Sequence, residues 1–392
     1  MSNNKQSDKQ KKSVINVNTL VKATILVVFT LVLLVSVYVI NKDRPRFTSS
    51  ETSGVEYEKA VVLEVLEDNS AVDETTENVL RGSRELSVKI LTGRYKGNVE
   101  TVTNYFSALY NVNVKEGDTL CLRIDTLEDK TYNCSVYNYN RVPLIVMLIL
   151  IFFAVLAIIG GFQGVKAFVG LVYTVLCILG IILPLVLKGV PAIPLTCGII
   201  FITSTLCFYL IGGISKKTVS AALGCFMGVL FAAALAYVAA AAGGISIFQT
   251  DEAEALLLLK STTPVKLRGL FISGILIGSM GAVMDIAMSI ASALEEVHRL
   301  NPDRNMKQLF SSGINIGRDA MGTMANTLIL AYVGSSLNMC LLIYSYGIGL
   351  RQLLCTDFVA IEVIKAIAGS IGIILCVPLV SLISAALYSK ER

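Results

Sequence analysis

The sequence contains no tryptophan, a single histidine (His298) and few charged residues for its length. One histidine argues against a catalytic or zinc site built on imidazole groups. Charged residues make up 16% of the 392 positions, fewer than a soluble domain of this size carries. CxxC pairs, Walker motifs and GxSxG elbows are missing, which argues against zinc binding, nucleotide hydrolysis and serine hydrolase chemistry. We therefore expect no enzymatic activity, no metal and no cofactor.

Long apolar segments dominate the chain, since hydrophobic residues make up 54% of it and the mean hydropathy is +0.68. Apolar runs of about 20 residues recur, and each is long enough to cross a lipid bilayer. We predict a mainly α-helical, polytopic transmembrane bundle of about eight spans, the last broken or kinked at Pro378. The predicted spans are residues 22–40, 144–159, 165–187, 193–211, 219–242, 269–294, 319–343 and 358–387.

The distribution of basic residues predicts the orientation in the membrane. The first apolar run is long, shows no cleavage site and ends in charged residues, as an uncleaved first helix does. Basic residues lie in the tail 1–21, at Lys216 and Lys217, in segment 298–318 and near the C-terminus, which places both termini in the cytoplasm. These loops explain the net charge of +4, and no basic patch carries the interleaved aromatics typical of nucleic-acid binding.

Residues 41–141 differ from the rest of the chain, because short runs with strand composition alternate there with turn residues. Leu86, Val88 and Ile90 alternate with polar residues, as in a half-buried strand. We predict a small β-barrel or sandwich, favour an OB-like barrel of five strands, and place it outside the cytoplasm. The acidic stretch 67–77 is predicted to be a loop. The predicted divisions are a tail 1–21, a first helix 22–40, this β domain 41–141 and a seven-helix domain 142–392.

Two of the nine cysteines, Cys121 and Cys134, lie in this β domain. A hairpin turning at residues 128–129 pairs Cys121 with Val136 and Cys134 with Arg123, which makes the cysteines diagonal neighbours on one face. A disulfide is compatible with an extracytoplasmic domain, although diagonal geometry is poorer than direct opposition. The alternative is two buried thiols.

Two loops of the helical part carry structural signals. Segment 253–262 is too short to span a bilayer, so we expect it to lie on the outer surface or to re-enter. Asn301-Pro302-Asp303 is typical of a helix start. Apolar residues follow it at amphipathic spacing through Ile314, which predicts a short interfacial helix joining two spans.

Polar side chains occur at membrane depth in the two spans on either side of that helix. Asp285 and Ser289 share one helix face, and Asp319, Thr323 and Asn326 share another. Counted from the polar ends of the spans, Asp285 lies about 15 Å deep and Asn326 about 12 Å deep. Polar groups in hydrocarbon are costly and usually face a bundle interior or a cavity, so these residues are candidates for a functional site.

Two interpretations of these residues remain open. In the first, Asp285 binds a cation or carries a proton, Asn326 and Thr323 coordinate, and Arg318 forms a gate pair with Asp319. In the second, hydroxyl and amide groups cross-link helices, which suits Ser289, Thr323 and Thr327 better. Further along, Glu362 and Lys365 are three residues apart, can pair with each other, and suit a structural role better.

Residues 281–290 (GAVMDIAMSI) and 316–332 (IGRDAMGTMANTLILAY) resemble the YibE/F-like family of bacterial multi-pass membrane proteins. The likeness covers roughly residues 143–387, and the leading span with its β domain resembles the YibE type. The resemblance implies a bacterial plasma membrane and a YibF-like partner. A homo-oligomer in the lipid bilayer is the alternative to that partner. It assigns no role to any residue. We expect a transporter or permease, coupled to a cation or proton; the alternative is a non-transporting scaffold or sensor whose β domain binds an envelope partner.

Overall fold

The computed structural model describes residues 28–42, 54–76, 79–108, 110–126, 131–245, 253–267 and 269–389. The predicted tail 1–21, the start of the first span and the turn at 128–129 lie outside these ranges. The chain divides into two compact units, Arg46–Val155 and the remainder, Met1–Pro45 with Leu156–Arg392, and each is described by itself.

The first unit is a curled five-stranded antiparallel sheet, a half-barrel with strand order β3-β2-β1-β4-β5. Leu86, Val88 and Ile90 are fully buried on its inner face, as their alternation predicts. Side chains link the two edge strands: Asn98 donates to the Tyr132 hydroxyl at 2.7 Å, and that hydroxyl donates to Glu100. The strands are β1 Gly54–Asp73, β2 Val79–Ile90, β3 Val99–Phe106, β4 Thr119–Thr126 and β5 Tyr132–Tyr139.

The acidic stretch predicted as a loop is mostly strand, because β1 continues to Asp73 and pairs with β2 as a long two-stranded ribbon. The acids are accommodated by cross-strand arginines. Asp68 contacts Arg84 at 2.7 Å, and Asp73 contacts Arg81 at 2.7 Å. The prediction was wrong because composition alone does not reveal these opposite-charge pairs.

The stability of this ribbon is expected to depend on pH through Asp68. Hydrogen bonds from Arg84 and Ser70 hold its pKa at about 2, below the ordinary value of 3.8. Since the folded-state pKa is the lower one, the contribution to stability is present above about pH 4 and is lost as the pH falls toward 2. Asp68→Asn should therefore shrink the loss of thermal stability between pH 6 and pH 3, followed by tyrosine fluorescence of the full chain. Glu64→Gln, which removes an exposed acid of the same strand, should leave that loss as large as in the wild type.

The diagonal pairing predicted for the two cysteines of this unit is wrong. Cys121 lies opposite Asn138 and Cys134 opposite Ile124, because the strands are already one residue out of the predicted register next to the turn and shift by one more between Cys121 and Leu122. Cys134 packs against the core of the half-barrel, while Cys121 alternates with buried neighbours and lies on the other face. Both are free thiols. Burial raises the pKa of Cys121, and it raises that of Cys134 to about 11, so both stay protonated at neutral pH.

The remainder of the described chain is helical. The helices are α1 Val28–Asn41, α2 Val142–Cys177, α3 Leu183–Leu187, α4 Ala192–Gly212, α5 Lys216–Ala242, α6 Ala253–Thr262, α7 Leu270–Leu300, α8 Met306–Ser335, α9 Leu337–Ser345, α10 Leu350–Leu354 and α11 Asp357–Ser389, with a π-helix Ile178–Ile182 joining α2 to α3. Five stretches of the described chain are long and apolar enough to cross a membrane, and α8 with α9, bent by 60°, adds a sixth. One of the five, Val142–Leu187, contains both predicted spans 144–159 and 165–187, and non-helical Gly161 (φ 54°) divides it at their predicted link.

Helix α11 lies at the centre of the bundle and packs against α5, α7 and α8. It continues through Pro378, so of the predicted break or kink the break is wrong. Glycines permit the close approach. A Cβ added at Gly224 would lie 2.2 Å from Val380 Cγ2 and 3.0 Å from its Cα, and one at Gly228 would lie 3.0 Å from the carbonyl oxygen of Gly372. These contacts agree with the tight packing that small residues provide in membrane helices.

Gly224→Ala is accordingly expected to destabilise the bundle. The new methyl group meets backbone that cannot move aside, and overpacking of this kind costs about 1–3 kcal/mol. Gly198→Ala in α4 is the matched control, because a Cβ there has nothing within 4 Å and the helix gains about 1 kcal/mol in propensity. Thermal unfolding in detergent should show a lower midpoint for Gly224→Ala only. Equal midpoints for the two variants would contradict this packing.

The connection between α7 and α8 differs from its prediction. Helix α8 begins at Met306, because Asn305 and Gln308 form a reciprocal capping box that Asn301 cannot form with Arg304 three residues later. The predicted interfacial helix is the first part of α8. Its apolar face packs within the bundle, since Leu309 is fully buried against Ala385 and Tyr388.

Candidate functional site

Helices α7 and α8 lie antiparallel, and three glycines define their register. A Cβ at Gly313 would lie 3.0 Å from Leu294, one at Gly317 3.2 Å from Ile290, and one at Gly278 2.5 Å from the Tyr332 hydroxyl. Interpolating between these contacts places Asp285 level with Thr323, and Ser289 level with Asp319. Asn326 lies about one turn, or roughly 5 Å, beyond Asp285, which agrees with the similar depth predicted for the two residues.

The candidate side chains face outward. Asp285 and Ser289 on α7 are exposed, and so are Arg318, Asp319, Thr323 and Asn326 on α8. The opposite face of α7 carries Val283, Ile286 and Ile290, all 0–1% exposed. The expectation that the polar residues face the bundle interior is therefore wrong for this chain. Large apolar residues at helical spacing bury one side of α7 and turn its polar side away from the core.

The exposed side of α7 is a narrow line of small and polar residues, here termed the α7 stripe: Gly274, Gly278, Gly281, Asp285 and Ser289. Contacts to two neighbouring helices border it. On one side Thr203 of α4 contacts Met280 at 3.9 Å, and on the other Tyr332 of α8 lies against Gly278. Nothing lies within 4 Å of a Cβ added at Gly274 or Gly281. The stripe, below also called the trough, is thus uncovered at these two glycines.

The exposed side of α8 carries Arg318, Asp319, Thr323 and Asn326, here termed the α8 polar face. The Thr323 hydroxyl donates to the Asp319 carbonyl at 3.1 Å, and the Thr327 hydroxyl donates to the Thr323 carbonyl at 2.9 Å. Both bonds stay within the helix. These hydroxyls therefore do not cross-link described helices, contrary to the interpretation that favoured such bonds.

The charges of the two faces have no ion-pair partner in the described part of the chain. Asp285, Asp319 and Arg318 form no salt bridge there, so the predicted gate pair of Arg318 with Asp319 is not formed. Adjacent residues on a helix point about 100° apart, which explains the separation. Each uncompensated carboxylate at membrane depth costs about 3 kcal/mol. At the depth predicted for it, Asp285 is therefore better accommodated by water or protein than by lipid.

The pair predicted between Glu362 and Lys365 is present, with Nζ 2.6 Å from Oε1. It lies apart from the α7–α8 group. Contacts of Gly317 with Val377 and of Gly369 with Leu328 set the register of α8 and α11. Glu362 is thereby level with the end of α8, about 24 Å along the axis from Asp319.

Sequence reasoning did not single out Tyr332 as a site residue. Its hydroxyl is buried against Gly278 and has no hydrogen-bond partner among the described residues. Tyr332 stands out only because it lies unusually close to a glycine on a facing helix. A single sequence does not reveal which helices face each other, so this contact could not be predicted.

Charged groups gather at one end of the bundle. Lys217 contacts Glu295 at 2.8 Å, Lys216 donates to the Leu387 carbonyl at 3.1 Å, and the His298 ring stacks on Tyr388 at 4.9 Å. No group of three His, Cys, Asp or Glu side chains in the described ranges lies close enough to hold a metal ion.

The apolar helices and their packing are those of a polytopic helical membrane protein. A family model described as YibE/F-like protein matches residues 148–390, and the chain belongs to this family. The resemblance found in residues 281–290 and 316–332 is thereby confirmed. Neither the curated proteins nor the solved structures contain a match.

Proposed function

We propose that the protein is a transporter of the bacterial plasma membrane, and that a cation or proton moves along the α7 stripe and the α8 polar face. One observation carries the proposal: two carboxylates and an amide without partners in the described chain are exposed, together with hydroxyls, at similar levels of two adjacent apolar helices. Such groups in a membrane segment are rare and mark ion or proton pathways.

The interior of the described bundle is packed mainly with apolar side chains. Its centre is filled by apolar side chains such as Val283, Ile373 and Val380, all fully buried. The buried hydroxyls of Ser279 and Ser381 donate to carbonyls one turn earlier in their own helices. A polar route on the outer side is therefore the arrangement that these contacts favour.

The chemistry of the outer face suits a hard cation or a proton. Asp285 and Thr323 are level, Asn326 lies one turn to one side, and Ser289 with Asp319 one turn to the other. Carboxylate, amide and hydroxyl oxygens are the ligands of such cations, and a turn of about 5 Å is a short step between them. Arg318 supplies a positive charge at one end of this series.

A second membrane protein is proposed to cover this face, either a YibF-like partner or another copy of the chain. The open trough and the uncompensated charges support this step, because lipid cannot solvate them. The cluster of Lys216, Lys217 and His298 supports a cytoplasmic location for that end of the bundle. We further propose that the half-barrel is an OB-like domain outside the cytoplasm, and that the protein has no enzymatic activity.

Charge movement in proteoliposomes tests the transport proposal. Purified protein is reconstituted and the current is recorded after steps of pH and of Na⁺, K⁺ and Mg²⁺ concentration. A protein-dependent current for protons or one cation is the expected result. The proposal would be refuted if, with the covering partner supplied by co-expression, no current is recorded and an assay for electroneutral transport detects no ion flux.

A scaffold or sensor is the second candidate, favoured by aromatic residues on the half-barrel. Tyr57 and Tyr137 are 53% and 49% exposed, and their rings contact each other with centroids 4.8 Å apart. Exposed aromatic pairs are typical of protein-binding surfaces. If the protein is a sensor, the double variant Tyr57→Ala, Tyr137→Ala should abolish binding of the envelope partner in cells. If it is a transporter, the same variant should keep its ion flux after reconstitution.

A further inference from the structure

A cavity of about 980 Å³ lies at the end of the bundle where α4 and α7 begin and α5 ends. Lys260 of α6 and residues 265–267 also line it. Phe271 at its wall is fourteen residues before Asp285, so the cavity is separated from the α7–α8 site by about 20 Å along the helix. The proposed transport function therefore does not account for it.

The walls of the cavity are mostly apolar, and the charged side chains among its described lining residues are cationic. Ile193, Ala241, Phe271 and Ile272 are among the wall residues, contributed by three different helices. Lys260 and Lys266 also line the cavity, and none of the described lining residues is acidic. An apolar chamber with a positively charged side complements a molecule that has an apolar body and an anionic head.

Lys266 is held in place by its neighbours. Val265 and Leu267 are 5% and 2% exposed and pack into a core with Ile182, Val186 and Ala192. Lys266 lies between them in the chain, is exposed and lines the cavity. The positive charge at the cavity is thus positioned by backbone that the core fixes.

The turn from residues 263–267 into α7, which borders the cavity, depends on the backbone conformation of Gly269. Gly269 has a left-handed conformation (φ 88°), and a Cβ there would lie 2.8 Å from Ile193. The chain can therefore turn from residues 263–267 into α7 directly beside the start of α4. Pro191 and Pro194 at the start of α4 complete this edge of the cavity.

We propose that this cavity binds an acyl amphiphile with an anionic head group, the head lying at Lys260 and Lys266 and the acyl chain against Ile193, Ala241 and Phe271. The volume is at the upper end of the 300–1,000 Å³ range of small-molecule pockets, so it accommodates an acyl chain as well as a head group. Carboxylate and phosphate heads share this chemistry, and they correspond to a free fatty acid and to an acidic membrane phospholipid.

Photocrosslinking of the purified full chain tests the proposal. One arm uses a diazirine fatty acid, a second a diazirine phosphatidylglycerol, and a third the matching neutral fatty alcohol. The expected result is saturable labelling of peptides containing Ala241 and Phe271 by at least one anionic probe, and weaker labelling by the alcohol. Stronger labelling by one of the two anionic probes identifies the ligand as a free fatty acid or as an acidic phospholipid.

Charge variants provide the decisive comparison. Lys260→Gln with Lys266→Gln should weaken anionic labelling at least tenfold, because two charge-assisted contacts are lost. Lys307→Gln removes an exposed lysine at the other end of the bundle and should leave labelling unchanged. Ala241→Phe, which fills the cavity without altering charge, should also abolish labelling. Equal labelling in all variants, or equal labelling by the neutral alcohol, would overturn the proposal.

Discussion

Replacing Asp285 with asparagine is expected to reduce cation- or proton-dependent charge movement at least a hundredfold. The substitution keeps the size of the side chain and removes the only carboxylate at that level of the α7 stripe. An amide neither takes up and releases a proton near neutral pH nor balances the charge of a cation, so the central step of the proposed pathway is lost. Asp285→Glu keeps the charge and should keep a measurable fraction of the flux.

Glu296→Gln is the matched control for Asp285→Asn. Glu296 is an exposed acid on the same helix and pairs with Arg299 at 2.6 Å, close to the end of α7. Its neutralisation should change the flux less than twofold. If Glu296→Gln reduces flux as strongly as Asp285→Asn, a general effect of negative charge on α7 explains the loss, and the assignment of Asp285 fails.

Filling the trough without changing its charge is expected to reduce ion flux strongly. Gly281→Leu adds a side chain where no atom lies within 4 Å of the new Cβ, so the isolated chain has room for it. The leucine projects into the space that the proposed pathway and covering protein occupy. Flux should fall at least tenfold while the thermal midpoint of the purified chain changes by no more than a few degrees.

Gly198→Leu in α4 separates this effect from a general response to added bulk. Gly198 is also exposed and open, and it lies outside the α7–α8 face. This variant should retain both flux and stability. Loss of flux in both variants would show that bulk anywhere on the apolar surface is harmful, which would contradict a specific role for the trough.

The helical segments could be predicted because membrane spans require long apolar runs, and the runs at 193–211 and 219–242 coincide closely with α4 and α5. The ends of α8 could not be predicted in the same way. Its start depends on a capping box at Asn305, and its end depends on a bend after Ser335. Both are local backbone events inside continuous apolar or amphipathic sequence, so hydropathy does not mark them.

For the candidate site, the composition and depth of the polar residues could be predicted, and their direction could not. Helical spacing correctly groups Asp285 with Ser289 and Asp319 with Thr323, because i and i+4 share a face. Which face is buried depends on the packing of α7 against α4, α5 and α11, which is decided by side-chain contacts between distant segments. The outward direction of the carboxylates is therefore information that only the three-dimensional structure supplies.

The proposed pathway requires that the α7 stripe and the α8 polar face are shielded from lipid in the membrane. Spin labels at Ser289→Cys and at Ile211→Cys test it in a chain whose other cysteines are alanine. Ile211 is 36% exposed on α4, and its neighbour Gly212 lies beside Met288, so the two labels sit at the same level. In reconstituted bilayers, the label at position 289 should be poorly accessible to oxygen and more accessible to a water-soluble nickel reagent than the label at position 211. Equal, high oxygen accessibility at both positions would show that lipid contacts the stripe, which is incompatible with the proposed pathway.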